Sequence, residues 1–198
     1  MDNLLTKDQD RLRLFKKYGY DIPRARNFIL TKARFSKNKI LEVGTGKGQM
    51  AIALAKKGFK VISIDLDKKA QCVAKTSLKA MKLNKLVTLK IMNAERLQYK
   101  DDSFDYVISV NFIHHAKNPV GCLKEMLRVT RKKLIIADIN KRGERIMEKV
   151  HRLDGHSHAA SRMTLVGIEL FLKRAGMEVK VYRDICQIIL IAKKGVAK

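Results

Sequence analysis

The sequence is poor in the residues that mark several protein classes: its 198 residues include no tryptophan, two prolines and 11 glycines. These counts exclude collagen-like and low-complexity chains. No apolar run approaches the ~18 residues of a membrane-spanning helix, so we expect no membrane association. The N-terminus lacks the basic head and apolar stretch of a secretory signal, and we therefore expect a cytoplasmic protein.

Cysteine is also scarce, and Cys72, Cys122 and Cys186 lie far apart in the chain. An odd number of widely spaced cysteines within apolar segments does not suit a disulfide framework. We therefore expect three reduced thiols in the core of the protein.

Acidic residues are few: 19 against 43 basic residues, which gives a formal net charge of +24. A surface built from ion pairs would raise glutamate together with lysine, but the chain has 7 glutamates and 29 lysines. The unpaired positive charge attracts polyanions or acidic substrates, or it serves only solubility. Both interpretations remain open at this point.

Apolar runs and amphipathic segments alternate from residue 39 onward. We predict strands at 40–43, 61–64, 87–92, 104–110 and 134–137, with helices at 48–57, 67–81, from Pro119 onward and at 164–175. The runs 177–182 and 185–192 are too close together for a crossover helix and must form a hairpin. The pattern predicts an α/β fold with a doubly wound, mostly parallel seven-stranded sheet whose last strand is antiparallel.

No linker or internal repeat interrupts the chain, so we predict one domain over 1–198. Within it, 1–38 is a basic helical N-terminal segment, and 39–139 is a ligand-binding core. Residues 140–163 form a mostly polar insert that contains histidines, and 164–198 form the last helix and the terminal hairpin.

A glycine-rich loop, 42–48, joins the first predicted strand to its helix, with the spacing Gly-x-Gly-x-Gly. Glycines allow a sharp turn and let a ligand lie against bare main chain. Gln49 stands where the dinucleotide fingerprint has its third glycine, and Gly48 follows Lys47 where a P-loop has Ser or Thr. The loop therefore fits neither pyrophosphate-binding pattern.

Asp65 ends the second predicted strand, 21 residues after Gly44. A carboxylate at this place can accept hydrogen bonds from both hydroxyls of a ribose, and Leu66 beside it can cover one face of a base. The alternative role of Asp65 is structural, in which its side chain only caps the end of the strand or the start of the next helix.

Because its motifs follow one another in this order, the chain resembles the class I S-adenosylmethionine-dependent methyltransferases. The resemblance is to the small, single-domain members of the methyltransferase type 11-like kind. The resemblance covers residues 40 to about 193 and implies a Rossmann-like methyltransferase fold. The segments that carry it are 41–48, 64–65, 93–95, 102–107 and 111–115.

The resemblance implies S-adenosylmethionine as cofactor, S-adenosylhomocysteine as product and a role for each matching residue. Residues at the methionine end would be Glu42, Gly44, Thr45, Gly46, Gly48 and Asn111, and residues at the nucleoside would be Asp65, Leu66, Asn93 and Ala94. Many relatives have Asp where this chain has Asn93. An amide oxygen still accepts a hydrogen bond from the adenine amine, so we expect only a modest change in affinity.

Five histidines follow the fourth and fifth predicted strands, where ligands of parallel sheets bind. His114 and His115 are candidates for a general base, or they only pack in their loop. His151, His156 and His158 belong to a solvated turn, to a substrate-binding lid, or, with Asp154, to a metal site.

Tyr18, with Phe15 and Tyr20, either lines the acceptor pocket or packs in the core. A methyltransferase of this length fits a small acceptor, and the charge of the chain fits an anionic one. The alternatives are an RNA methyltransferase that uses the basic surface and a non-catalytic module that binds the cofactor. Residues 110–114 lack the Asn/Asp-Pro-Pro-aromatic element of exocyclic-amine nucleic-acid methylases.

Overall fold

Strands and helices alternate from residue 40 onward in the computed structural model, which describes residues 2–36, 39–154 and 163–195. The strands are β1 Ile40–Val43, β2 Val61–Asp65, β3 Val87–Ile91, β4 Phe104–Val110, β5 Thr130–Ile139, β6 Met177–Arg183 and β7 Gln187–Lys194. The helices are α1 Asp2–Lys17, α2 Ile22–Ala33, α3 Gln49–Lys56, α4 Lys68–Ala80, α5 Pro119–Val129, α6 Lys141–Asp154 and α7 Leu165–Arg174.

The seven strands form one sheet in the order β3-β2-β1-β4-β5-β7-β6. β1 to β5 pair in parallel, and β7 runs antiparallel to both β5 and β6. This confirms the predicted doubly wound sheet with an antiparallel last strand. The chain reverses its direction across the sheet between β1 and β4, and ligands of such folds bind at the carboxyl ends of strands beside this reversal.

Helix starts agree with the capping signals of the sequence. The side chain of Asp67 accepts from two backbone N–H groups at the start of α4, and that of Thr164 accepts from Gly167 at the start of α7. Pro119 lies in the first turn of α5, where its missing N–H costs nothing. β5 begins at Thr130, directly after α5 and four residues earlier than predicted.

The first part of the segment predicted as a mostly polar insert, residues 141–154, forms the helix α6, which the sequence analysis did not predict. Ile146 and Val150, four residues apart, pack on one face against Phe15 of α1 and Ile22 of α2. The many charged residues on the opposite face obscure this apolar face in the sequence. His156 and His158 lie outside the described residues.

The cysteines only partly fulfil the prediction. All three are free, and Cys122 and Cys186 are buried, but Cys72 is exposed on α4 and is not a core residue. Within the described ranges, no helix is both long and apolar enough to cross a bilayer.

Two glycines, each third in its helix, provide a matched test of how α6 packs. A Cβ at Gly143 would lie 2.3 Å from the carbonyl oxygen of Cys186, whereas a Cβ at Gly167 would meet no atom closer than 3.5 Å. Gly143→Ala should therefore lower the free energy of unfolding by roughly 2–3 kcal/mol through overpacking, and Gly167→Ala should be neutral or stabilising. Chemical denaturation measures both, and equal effects would contradict this packing of α6.

Candidate functional site

A cavity of about 850 Å³ opens where the parallel strands end. Residues that close or follow β1, β2 and β4 line it, beside the point where the sheet order reverses. Arg11 and Phe15 of α1 and Met147 and His151 of α6 also line it. Its volume lies within the range of small-molecule and cofactor sites.

The glycine loop between β1 and α3 presents bare backbone to this cavity. Gly44 has a φ of 89°, and a Cβ there would lie 2.6 Å from the side chain of Phe112. The N–H groups of Gly44 and Thr45 donate to the carbonyl of Ile64 at 2.9 and 3.0 Å, which ties the loop to β2. Gly46 has open space where a side chain would be, so a ligand can approach the main chain there.

Gly48, the third glycine of the loop, does not line the cavity. It precedes α3 with a φ of 85°, and a Cβ there would lie 2.8 Å from the Cβ of Ala74 in α4. Its physical role in this structure is to let α3 and α4 approach each other closely.

Asp65 is held at the end of β2 by two backbone donors. Oδ2 accepts from the N–H of Gly46 at 2.7 Å, and Oδ1 accepts from the N–H of Asp67 at 2.9 Å. Each carboxylate oxygen has a second lone pair, so the group can still accept two hydrogen bonds from a ribose diol. Stabilising the loop and binding a ribose are therefore compatible roles for the same side chain.

The other residues proposed for the nucleoside lie beside Asp65 in the cavity lining. Leu66 is 60% exposed, which is unusual for a large apolar side chain and suits one that covers the face of a base. Asn93 Oδ1 accepts from the N–H of Glu95 at 2.9 Å and has one lone pair left. Ala94 is buried and belongs to the apolar core.

Glu42 lines the cavity, is 1% exposed and belongs to a chain of buried polar groups. Ser63 Oγ donates to Glu42 Oε2 at 2.5 Å and lies 2.6 Å from Thr45 Oγ1. Burial raises the pKa of Glu42 to about 8, against the smaller lowering effects of Ser63 and of the charge on Arg26. The carboxyl group is therefore largely protonated at neutral pH.

Asn111, directly after β4, combines a strained backbone with an unused acceptor. Its φ is 53°, a region that non-glycine residues rarely adopt. Its Nδ2 lies 3.3 Å from Tyr20 Oη, to which it donates, while its buried Oδ1 has no hydrogen-bond partner. A buried orphan acceptor that lines a cavity fits a ligand donor such as an ammonium group.

A comparison with known families adds an independent observation. A family model described as a methyltransferase domain matches residues 41–137, which include the glycine loop, Asp65, Asn93 and Asn111. Over these residues, just under half of the chain, the protein is similar to the methyltransferase domain family.

Individual relatives agree with this family. Methyltransferase GfsG from Streptomyces halstedii is 34% identical over 109 residues, 54% of this chain and 39% of that protein, so this chain matches about two fifths of the relative's length. A Methanococcus maripaludis protein, described provisionally as an S-adenosyl-L-methionine-dependent methyltransferase, superposes with a TM-score of 0.74 at 16% identity, covering 100% of this chain and 94% of that one. The [4+2]-cyclase SpnF superposes at 0.70 and 16% identity, covering 88% and 81%. At such identities these two structures show the fold alone.

The two histidines after β4 differ in their position relative to the cavity. His115 lines the cavity, whereas His114 does not. His114 Nδ1 lies 2.7 Å from an oxygen of Asp138, near the end of β5, and its ring centroid is 3.9 Å from that of His115. His114 is thus fixed by a carboxylate behind the residue that faces the cavity.

His151 is the one predicted histidine of the insert that lies within the described residues. It is buried on α6 and lines the cavity next to Met147. Among the described side chains, no group of three or more His, Cys, Asp or Glu is arranged to hold a metal ion.

The three aromatic residues of the N-terminal segment also differ in whether they line the cavity. Phe15 lines the cavity, and Tyr20 is buried behind it with its ring 6.1 Å from that of Phe15. Tyr18 does not line the cavity; Lys149 Nζ of α6 lies 4.1 Å from its ring centroid.

Two arginines that sequence reasoning did not single out also line the cavity, Arg11 of α1 and Arg26 of α2. In the sequence they are two of several basic residues in a basic segment. Arg26 is 6% exposed, and only this burial distinguishes it from its neighbours.

The raised pKa of Glu42 predicts how stability depends on pH. The pKa is about 4.5 for the ordinary side chain and about 8 in the folded protein, so between these values the folded state binds more protons and loses stability as pH rises. Glu42→Gln cannot titrate. The free energy of unfolding of Glu42→Gln minus that of wild type should therefore increase by a few kcal/mol between pH 5 and pH 8. The expected slope of this difference is ~1.4 kcal/mol per pH unit. Denaturant titrations at both pH values test this, and a constant difference would contradict the raised pKa.

Proposed function

We propose that the chain transfers a methyl group from S-adenosylmethionine to a small acceptor. The observation that carries this proposal is the cavity in which the open backbone at Gly46, the free lone pairs of Asp65 and the orphan oxygen of Asn111 lie together. These groups match the polar ends of a nucleoside that carries an amino acid.

Each end of the cofactor has suitable partners in the cavity. Asp65 would accept from the ribose hydroxyls, Leu66 would cover the adenine, and Asn93 Oδ1 would accept from the adenine amine. At the amino-acid end, Asn111 Oδ1 would accept from the ammonium group, near Glu42. The bound cofactor supplies a sulfonium whose methyl group is already activated for transfer, so the protein has mainly to position the acceptor and exclude water.

The acceptor would lie between the glycine loop and the helices α1 and α6. Phe15 and Met147 supply apolar walls that exclude water, and His115 and His151 are the imidazoles in the lining. We propose His115 as the general base where the acceptor loses a proton. Arg11 and Lys117 line the cavity, but so do Asp67 and Glu95, and Lys47 pairs with Asp8 at 3.5 Å. The proposal of an anionic acceptor therefore rests on the net charge of +24.

Binding of S-adenosylhomocysteine to two matched variants tests the cofactor assignment. Asp65→Asn removes a charged acceptor from the ribose position and should weaken binding roughly 10- to 100-fold, the usual value of one or two charge-assisted hydrogen bonds. Isothermal titration calorimetry measures the affinity.

Asp102→Asn is the control for this experiment, because Asp102 precedes β4 at the opposite end of the sheet. It should bind S-adenosylhomocysteine like wild type. Equal affinity of the Asp65→Asn variant and wild type, with both folded, would refute the ribose assignment.

RNA is the second candidate acceptor, favoured by the net charge of +24. Binding through phosphates would make log affinity fall with log salt by ~0.7 per contact for single strands. If the affinity for RNA does not change with salt concentration, binding through phosphates is excluded and the small acceptor remains the proposed substrate. The non-catalytic alternative predicts cofactor binding without methyl transfer to either class of acceptor.

A further inference from the structure

A second cavity lies at the opposite end of the sheet from the first. The first residues of β1, β2 and β4 line it, whereas residues that close or follow the same strands line the cavity described above. We call it the amino-end groove. Its volume of about 1200 Å³ exceeds the ~300–1,000 Å³ that is usual for a small-molecule site, which favours an extended ligand.

The charged residues that line the amino-end groove are four basic and two acidic ones: Lys39, Lys60, Lys85, Arg131, Asp102 and Asp105. Both acids already have cationic partners. Asp105 pairs with Arg131 at 2.6 Å and with Lys132 at 3.1 Å, and Asp102 pairs with Lys194. The side chains of the three lysines are exposed, and within the described part of the chain none of them forms an ion pair. The groove therefore has an excess of positive charge that the fold does not neutralise.

Basic side chains at the ends of helices often serve only to complement the helix dipole. Lys56 and Lys79 lie in the last turns of α3 and α4 and fit this explanation. Lys39, Lys60 and Lys85 instead precede β1, β2 and β3 and lie outside the helices. The helix dipole does not account for the three lysines of the groove.

Two aromatic rings lie among these cations. Phe59 and Tyr99 both line the groove, and both are partly exposed. Proteins that bind single-stranded nucleic acids combine a basic groove that follows the phosphates with rings on which the bases stack. A membrane surface would instead favour exposed apolar side chains that enter the lipid. The residues that line the groove are all described, and none of them is a large apolar side chain exposed to solvent.

We propose that the amino-end groove binds single-stranded nucleic acid, with phosphates at Lys39, Lys60 and Lys85 and a base against Phe59. The groove is remote from the cavity of the proposed function, so the bound strand is a partner and not the group that receives a methyl. Salt-dependent binding of RNA is then a property of the groove and does not by itself indicate an RNA acceptor.

The test compares two variants that lower the net charge equally. The groove variant combines Lys39→Gln, Lys60→Gln and Lys85→Gln. The control variant makes the same change at three exposed lysines of α4, α5 and α6 that do not line the groove: Lys75, Lys124 and Lys141. Any difference between the two variants therefore reports the position of the charges and not their number.

Fluorescence anisotropy of labelled oligouridylate and oligothymidylate, each of ~10 nucleotides, measures the affinity at several salt concentrations. The groove variant should bind roughly 10- to 100-fold more weakly than wild type, and the slope of log affinity against log salt should fall by ~2, or ~0.7 for each lost phosphate contact. The control variant should keep the slope of wild type and an affinity within about threefold. Equal weakening in both variants would indicate diffuse attraction and overturn the proposal.

Inorganic polyphosphate, which has phosphates but no bases, separates a nucleic-acid site from a site for any polyanion. Phe59→Leu removes the ring and keeps an apolar side chain. It should weaken oligonucleotide binding roughly 10-fold and leave polyphosphate binding unchanged. A folded Phe59→Leu variant that binds both probes like wild type would overturn the assignment to nucleic acid. So would a wild-type protein that binds vesicles of phosphatidylglycerol but neither oligonucleotide.

Binding of S-adenosylhomocysteine distinguishes this proposal from the proposed function. The groove variant should bind S-adenosylhomocysteine like wild type, because the groove and the first cavity lie at opposite ends of the strands. Loss of both affinities, with a lower melting temperature, would assign the three lysines to the fold and overturn the proposal. A wild-type protein that binds no S-adenosylhomocysteine would refute the proposed function alone, since oligonucleotide binding to the groove needs no cofactor.

Discussion

The carboxylate of Asp65 is the constraint on which the geometry of the site depends. It joins the glycine loop, through Gly46, to the turn that starts α4, through Asp67. Backbone donors occupy one lone pair on each oxygen and fix the direction of the remaining two. The group that shapes the loop is therefore also the group to which the proposed function assigns the ribose, so one acid would serve both fold and binding.

The second property of the site is an uneven distribution of charge along the cavity. Asp65 ends β2, whereas burial raises the pKa of Glu42 in the neighbouring β1 to about 8, and the Nε of the buried Arg26 has no hydrogen-bond partner. The large net charge of the chain has no part in this pattern, which is set by three buried or half-buried groups.

The sequence predicted the fold well because its signals are local. Capping residues such as Asp67 and Thr164 and the short apolar strands each depend on a few neighbouring positions. It missed α6, whose apolar face is visible only once α1 and α2 are packed against Ile146 and Val150.

The site was predictable to a similar extent. The glycine loop, Asp65 and Asn93 follow strands, so their place at one edge of the sheet follows from topology. Arg26 was not predictable, since its burial beside Glu42 results from the packing of α2 on the sheet. His114 and His115 are adjacent in sequence, yet only the second lines the cavity because Asp138 holds the first.

A crystal structure of the protein with S-adenosylhomocysteine bound would test this account most directly. The account predicts both ribose hydroxyls within hydrogen-bonding distance of Asp65, the adenine against Leu66 and the amino-acid end directed toward Glu42 and Asn111. A nucleoside bound elsewhere, or in the reverse orientation with its ribose away from Asp65, would contradict it.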